Sequence, residues 1–256
     1  MMEQPFKLET TLDRILFCLN HGSVQIMSGL WIMGLILTGI TFTAWSLAAI
    51  LFGLCFQYAN EYFLHRFIYH QKAPDQDQAK FNALYSSHYG HHDFPNNPKM
   101  WLGTSLWYAP RFAVIAFVIQ ALVLWLVGVP IWWQLAATSV FCGSITTYLF
   151  YEWSHTTAHA QGKKNWLERY ITTCHAKHHF HDWDSNYHVS AGGILVDMAA
   201  GTAFQKETVK AKHAQGRLKF IRTLGLEPDD SRLVTARAEF AERFNITPEL
   251  QEAAKR

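Results

Sequence analysis

Residues 15–60 read ILFCLNHGSVQIMSGLWIMGLILTGITFTAWSLAAILFGLCFQYAN, 46 positions without a single Asp, Glu, Lys or Arg. A second run, residues 112–151, gives 40 more between Arg111 and Glu152. A helix crosses a hydrocarbon core of roughly 30 Å with about 20 apolar residues, so each run has the length of two crossings and a tight turn. A charge at the bilayer centre costs about 2.5–3.5 kcal/mol on insertion scales, a penalty that clears charges from such lengths. A soluble core helix would show a polar face every turn, and neither run has a charged face. The predicted spans are residues 23–40, 43–60, 109–128 and 131–151. Their turns fall at Thr41–Thr43 and Gly128–Pro130, the latter where Gly and Pro punctuate the apolar run. The uncharged polar residues inside the runs, Gln57, Asn60, Gln120, Ser139 and Ser144 among them, are expected at turns or toward the charged ends.

The rest of the composition fits that reading. Of the 256 residues, 50% are apolar and 16% charged, which excludes a disordered chain. Four cysteines exclude a disulfide scaffold, and a net charge of +2 gives no case for nucleic acid. Two hairpins put the amino terminus, residues 61–111 and everything after 151 on one side. All 22 Lys and Arg fall there, and the short opposite turns have none, so the positive-inside rule makes that side cytoplasmic. The apolar run after Lys7 and Arg14 is too long for a signal peptide and is read as a retained anchor. Cys18, Cys55, Cys142 and Cys174 are expected as reduced thiols. The expected fold is an all-α integral membrane protein of two transmembrane helical hairpins, four spans, carrying a cytoplasmic helical cap with a histidine-rich dimetal site. The expected divisions are an interfacial segment 1–22, a membrane-embedded domain 23–202 and a charged helical extension 203–256. No sorting tail is recognised, which favours a bacterial inner membrane.

Histidine is the unusual residue. Of fourteen, ten fall in four boxes: His65-Arg-Phe-Ile-Tyr-His70, His88-Tyr-Gly-His91-His92, His155-Thr-Thr-Ala-His159 and His175-Ala-Lys-His178-His179. Residues three and four apart share a helix face, so two such imidazoles can converge on one metal at about 2.0–2.1 Å. The first box breaks the pattern: five residues are roughly 500° of α-helix, leaving the pair about 140° apart. A helix break near Phe67 or a tertiary adjustment is predicted. The charge-derived topology places all four boxes on one membrane face. Ten imidazoles exceed one ion's coordination number, so two ions are expected. Nitrogen ligands suit iron, zinc, copper or nickel, and zinc outcompetes ferrous iron at such sites, so purified samples can carry zinc. His21 and His213 stand alone, while His181 and His188 flank Asp182-Trp183-Asp184 as further candidates. Glu61, Asp93, Glu152 and Asp182 lie beside boxes and either accept from a ligand's second nitrogen or pair with cations such as Arg66 and Lys177.

The four boxes in this order, between paired hairpins, resemble the fatty acid hydroxylase and sterol desaturase superfamily over residues 45–202. The stretch Asn186-Tyr187-His188-Val189-Ser190, followed by Asp197 and Gly201-Thr202, is similar to that family's closing pattern, with His188 standing where Gly is usual. The resemblance implies that His65, His70, His88, His91, His92, His155, His159, His175, His178 and His179 hold two iron ions. It further implies that the centre uses O2 on an unactivated C–H bond of a fatty acyl or sterol-like lipid, to hydroxylate or to desaturate it. His188 would then narrow the substrate channel, donate a hydrogen bond or add a ligand. Aromatic flanks (Tyr62, Phe63, Phe67, Tyr69, Trp101, Trp107, Tyr108, Tyr151, Trp153) would exclude water or form an interfacial belt.

Neither an iron–sulfur cysteine array nor a dinucleotide-binding glycine fingerprint is present, so an oxygenase built this way needs a separate electron-donor protein. Metal transport or storage is the competing class, and it predicts ionisable residues along the spans, where the runs hold only His21. Beyond 203, helices are predicted over 205–224, 231–244 and 248–254. The basic stretch Lys206 to Arg222 either attracts anionic lipid or an acidic electron-transfer partner or is a plain solvated face.

Overall fold

The computed structural model describes residues 7–103, 106, 108–215 and 220–244. Helix α1 (Thr11–Leu19) starts at a capping box, with Thr10 Oγ1 accepting from Asp13 N and Asp13 Oδ2 accepting from Thr10 N. Next come α2 (Gly22–Ile40) and α3 (Ala44–Phe63), separated by Thr41–Thr43 as the sequence predicts. Helix α3 runs without a stop into a π-helical turn, Leu64–Tyr69, and the continuous rod Ala44–Tyr69 is 26 residues long. Helix α4 (Gln78–Leu84), a π turn Tyr85–Tyr89 and the single turn α5 (Gly90–Asp93) carry the second box. Then follow α6 (Tyr108–Leu126), α7 (Trp132–Thr138), a π turn Ser139–Ser144 and α8 (Ile145–His159). Helix α9 (Trp166–Phe180) opens with an Asn165–Glu168 capping box. The chain closes with α10 (Ile194–Ala199), α11 (Lys206–Ala214), α12 (Phe220–Thr223) and α13 (Ser231–Phe244). The helix predicted over 205–224 is interrupted, and the one over 248–254 lies outside the described residues.

Among the described residues, three helices, α2, α3 with its π turn, and α6, are long and apolar enough to cross a membrane. Their outward faces are uncovered hydrocarbon, with Ile36 59%, Leu47 63% and Val118 59% exposed, an arrangement that suits lipid rather than water. The chain is therefore a helical membrane protein. The region expected as a fourth crossing is α7, the Ser139–Ser144 turn and the start of α8, three shorter pieces joined end to end.

Between the spans the packing is close. A Cβ on Gly53 of α3 would lie 1.9 Å from the Ser139 carbonyl oxygen, and one on Gly143 2.4 Å from that of Ile50. Small residues let backbones approach this way where lipid offers no hydrophobic drive. The mid-run polar residues are not at the ends, as expected from the sequence, but joined across helices. Gln120 Nε2 donates to Ser144 Oγ (3.0 Å), Ser139 Oγ to Gln120 Oε1 (2.5 Å) and Ser144 Oγ to the Gly53 carbonyl (3.0 Å). An unpaired polar group in hydrocarbon costs several kcal/mol, which is why these residues find one another.

On the other side of the box-bearing helices, α4, the second box and α12–α13 share one apolar core that includes Phe81, Tyr85, Tyr89, Leu224, Leu233 and Phe240. The amino-terminal helix is pinned by fully buried Arg14, which pairs with Glu168 at 2.9 Å and donates to the Leu8 and Lys163 carbonyls.

Candidate metal centre

The first box is not broken at Phe67. It is wound as a π turn, and the His70 N–H donates to the His65 carbonyl at 3.1 Å, an i→i+5 bond. Residues five apart stack in such a turn as residues four apart do in an α-helix, so His65 and His70 face the same way. Their ring centroids are 4.9 Å apart.

All ten box histidines meet in two groups of five. One holds His65, His70, His88, His92 and His178; the other holds His91, His155, His159, His175 and His179. Within each group the candidate ligand atoms all lie within 4.8 Å of one another. The boxes are not the groups. Pairs four apart (His88 and His92, His155 and His159, His175 and His179) and the π-stacked pair stay together, whereas pairs three apart (His88 and His91, His175 and His178) part. The groups touch, with His92 and His179 stacked at 4.1 Å.

Within the first group, the Nε2 atoms of His65, His70 and His92 approach His88 Nε2 at 3.1, 3.0 and 2.9 Å. One imidazole nitrogen offers a single proton or a single lone pair, so it cannot bond three others at once. Two nitrogens each about 2.1 Å from one ion and at right angles would stand roughly 3 Å apart, so a shared cation accounts for the spacing. In the second group, His155 Nε2 lies 2.9 Å from His91 Nε2, and His175 Nε2 2.8 Å from His159 Nε2. Both nitrogens of buried His179, and Nε2 of buried His178, have no hydrogen-bond partner among the described residues. The donor set fits two cations.

Burial makes these rings neutral. It takes His155 and His178 down to about 4, against the raising effect of their bonds to the Trp101 and Ser185 carbonyls. His88, His91, His92, His175 and His179 fall well below the ordinary range through burial and then through neighbouring imidazoles. A neutral imidazole is the form that binds metal.

The tautomers are set by backbone. His65 Nδ1 donates to the Tyr187 carbonyl, His178 Nδ1 to Ser185 (2.8 Å) and His155 Nδ1 to Trp101 (2.7 Å). Each leaves Nε2 to its group. Of the two roles open to the four acids, pairing with cations is the one that Asp93 and Asp182 take, though with Arg237 and Lys212 rather than Arg66 and Lys177. Glu61 accepts from the N–H groups of Val189 (2.7 Å) and Ser190 (3.0 Å) and from Ser190 Oγ (2.6 Å). Asp197 accepts from the N–H groups of Tyr187 and His188 and from Thr202 Oγ1. The segment whose carbonyls orient His65 and His178 thus hangs between two buried carboxylates. Asp182 pairs with Lys212 at 2.6 Å, Asp93 with Arg237, and Glu152 lines the cavity described below. Asp197 was visible in the sequence only as part of the closing pattern, and Arg237 gave no signal at all.

His188 joins neither group. Its ring stacks on Tyr58, its Nε2 donates to the Tyr58 carbonyl (3.1 Å), and its Nδ1 makes an ion pair with Glu61 at 3.0 Å. Burial opposes its charge, but Glu61, joined by the Tyr58 carbonyl and Asp197, outweighs burial and raises the His188 pKa. His181 is exposed and lies against Phe204, His213 is exposed, and His21 bonds Ser23, all away from the groups.

A cavity leads from the groups down between α2, α3, α6 and α8. His65 and His88 of one group and His91 and His155 of the other line its upper end, with Tyr69, Trp101 and Tyr151; Met27, Ala113, Ala116 and Val140 line the rest. Phe63 and Phe67 point outward instead, and Trp107 lies outside the described residues.

Apolar helices and two adjoining five-histidine groups define an integral membrane histidine-box protein. The chain belongs to the fatty acid hydroxylase family, whose model matches residues 50–202. In fold it is similar to a solved structure described as full-length Scs7p with only the hydroxylase domain visible. That match has 19% identity and a TM-score of 0.54, and covers 80% of this chain and 70% of the other. No curated protein sequence matches the chain.

Proposed function

We propose that this chain hydroxylates an unactivated C–H bond of a membrane lipid, fatty acyl or sterol-like, at a di-iron centre held by the ten box histidines. The observation that carries the reading is the convergence of three Nε2 atoms on His88 Nε2, beside a second five-histidine group, at the head of a mostly apolar cavity. Two bound iron ions would supply the activation of O2 and the oxidation of the C–H bond.

The protein's own residues do the rest. The cavity walls bind and align the chain, and Tyr69, Trp101 and Tyr151 keep water from its upper end. Backbone carbonyls fix the ligand tautomers. Ile145 and His155 both line the cavity ten residues apart on α8, roughly 15 Å. That is about half of the ~30 Å hydrocarbon core, the depth of one leaflet, and suits a hydrocarbon tail drawn sideways from lipid. The reading extends to a fourth crossing through α7 and the Ser139–Ser144 turn, to a cytoplasmic cap, and to electrons from a separate protein. It keeps the division at about residues 22 and 202.

Mass spectrometry of membrane lipids from cells with and without the chain tests the reaction. A lipid heavier by one oxygen supports hydroxylation; one lighter by two hydrogens makes the chain a desaturase with the same centre. Metal analysis of His91→Ala and His178→Ala, one ligand from each group, should show loss of metal and turnover. Either variant keeping full turnover would remove that histidine from the centre.

A further inference from the structure

The second box closes a helix. Gln78–Asp93 is helical without a break through the Tyr85–Tyr89 π turn, and Gly90–Asp93 is its last turn, where helices fray. Yet it carries His91 into one group and His92 into the other, so its orientation sets how both groups face each other. The helix holds this turn on one side only, and its free end needs a contact from elsewhere.

Asp93, the residue after His92, accepts two bonds from Arg237 of α13: Nε to Oδ2 at 2.8 Å and Nη2 to Oδ1 at 2.7 Å. Tyr85 Oη also donates to Asp93 Oδ2, at 2.9 Å. The side chains of Arg237 and Asp93 are 7% and 4% exposed, so this is a buried two-pronged pair rather than a surface contact. Arg237 comes from 144 residues further along the chain and lies beyond the matched family region, residues 50–202. Ala236 and Phe240, on either side of it, sit in the apolar core that includes Tyr85, Tyr89 and Phe94. A planar guanidinium bonded through two nitrogens fixes direction as well as distance, which a lysine ammonium does not.

We propose that Arg237 is a positioning residue for the dimetal centre: through Asp93 it sets the angle of the Gly90–Asp93 turn, and thereby the placement of His91 and His92 relative to each other. The inference rests on the metal-centre reading above.

The test is cobalt(II) binding to the full-length protein in detergent after chelation, followed by visible absorption and by stoichiometry. Arg237→Met leaves the Asp93 carboxylate buried without its partner and can unfold the chain for that reason alone. The double variant Asp93→Asn/Arg237→Met removes both charges and is expected to melt near the wild-type temperature. Its cobalt affinity should nevertheless fall about 10- to 100-fold, the range seen when groups behind metal ligands are lost, with the absorption of both sites altered together. Arg237→Lys should fall between wild type and the double variant. A double variant with wild-type affinity and spectrum would show that Arg237 serves folding only and overturn the inference. A wild-type chain that binds no cobalt overturns the metal reading first, and this inference with it.

Discussion

Replacing Glu61 tests how the segment from Ser185 to Ser190 is held. The Glu61 carboxylate accepts three hydrogen bonds from Val189 and Ser190 and pairs with His188, all in the interior. Glu61→Leu strands two buried N–H groups, at about 1–3 kcal/mol each. It also removes one partner of a buried ion pair, at about 3–5 kcal/mol. These costs overlap, because a single carboxylate makes all the contacts, and a total of about 4 kcal/mol is expected. That is nearly a thousandfold fall in the folded-to-unfolded ratio at about 1.4 kcal/mol per factor of ten. Glu61→Gln keeps the shape. Its carbonyl can accept both N–H groups and its amide can donate to Ser190 Oγ, so only the charge opposite His188 is lost, and the cost should be about 1–2 kcal/mol. Denaturant unfolding in detergent measures both, and zinc content of the folded fraction reports whether His65 and His178 have lost their orienting carbonyls. If Glu61→Leu unfolded within 1 kcal/mol of wild type, the carboxylate would not be what suspends the segment.

Three further outcomes follow from the same region and the cavity. A Cβ on Gly193 would lie 1.9 Å from His188 Nδ1, so Gly193→Ala should cost about 1–3 kcal/mol, and the cost should vanish in a His188→Gly background, as a double-mutant cycle in thermal melts would show. Because the Glu61 carboxylate, joined by the Tyr58 carbonyl and Asp197, outweighs burial and raises the His188 pKa above 6.5, the stability it brings is full below pH 6.5 and is lost as pH rises through the raised value. Melting temperature should decline over that window in wild type and not in Glu61→Gln; equal slopes would remove His188 as the source. Ala113→Phe fills the cavity wall away from the histidines, so turnover should drop at least tenfold while metal content stays at the wild-type level.

The sequence carried three of its four expected membrane helices and the clustering of the ten histidines because both signals are local: an absence of charge over a fixed length, and a spacing. The first box shows where spacing stops being enough. Five residues between His65 and His70 argue against an α-helix but do not choose between a break and a wider turn, and only the i→i+5 bond makes that choice. The division of the ten histidines into groups could not be read from the boxes either, since His91 and His92 are neighbours in the chain and belong to different groups. The supports of the site were out of reach for a simpler reason. Glu61 meets His188, and Asp93 meets Arg237, only after folding brings distant segments together, and no periodicity marks such pairs. The mid-run polar residues were misplaced on the same ground: Gln120, Ser139 and Ser144 satisfy one another across helices rather than retreating to water.

The rod Ala44–Tyr69 is lipid-crossing helix over most of its length and histidine-bearing turn at its tip, with no hinge between. A helix too long or too short for its bilayer adjusts by tilting. Tilt at one end of a stiff lever swings the other, so the angle at which His65 and His70 are presented is tied to the thickness of the surrounding membrane. Reconstitution into short- and long-tailed phospholipids would therefore retune the centre without altering one atom of it.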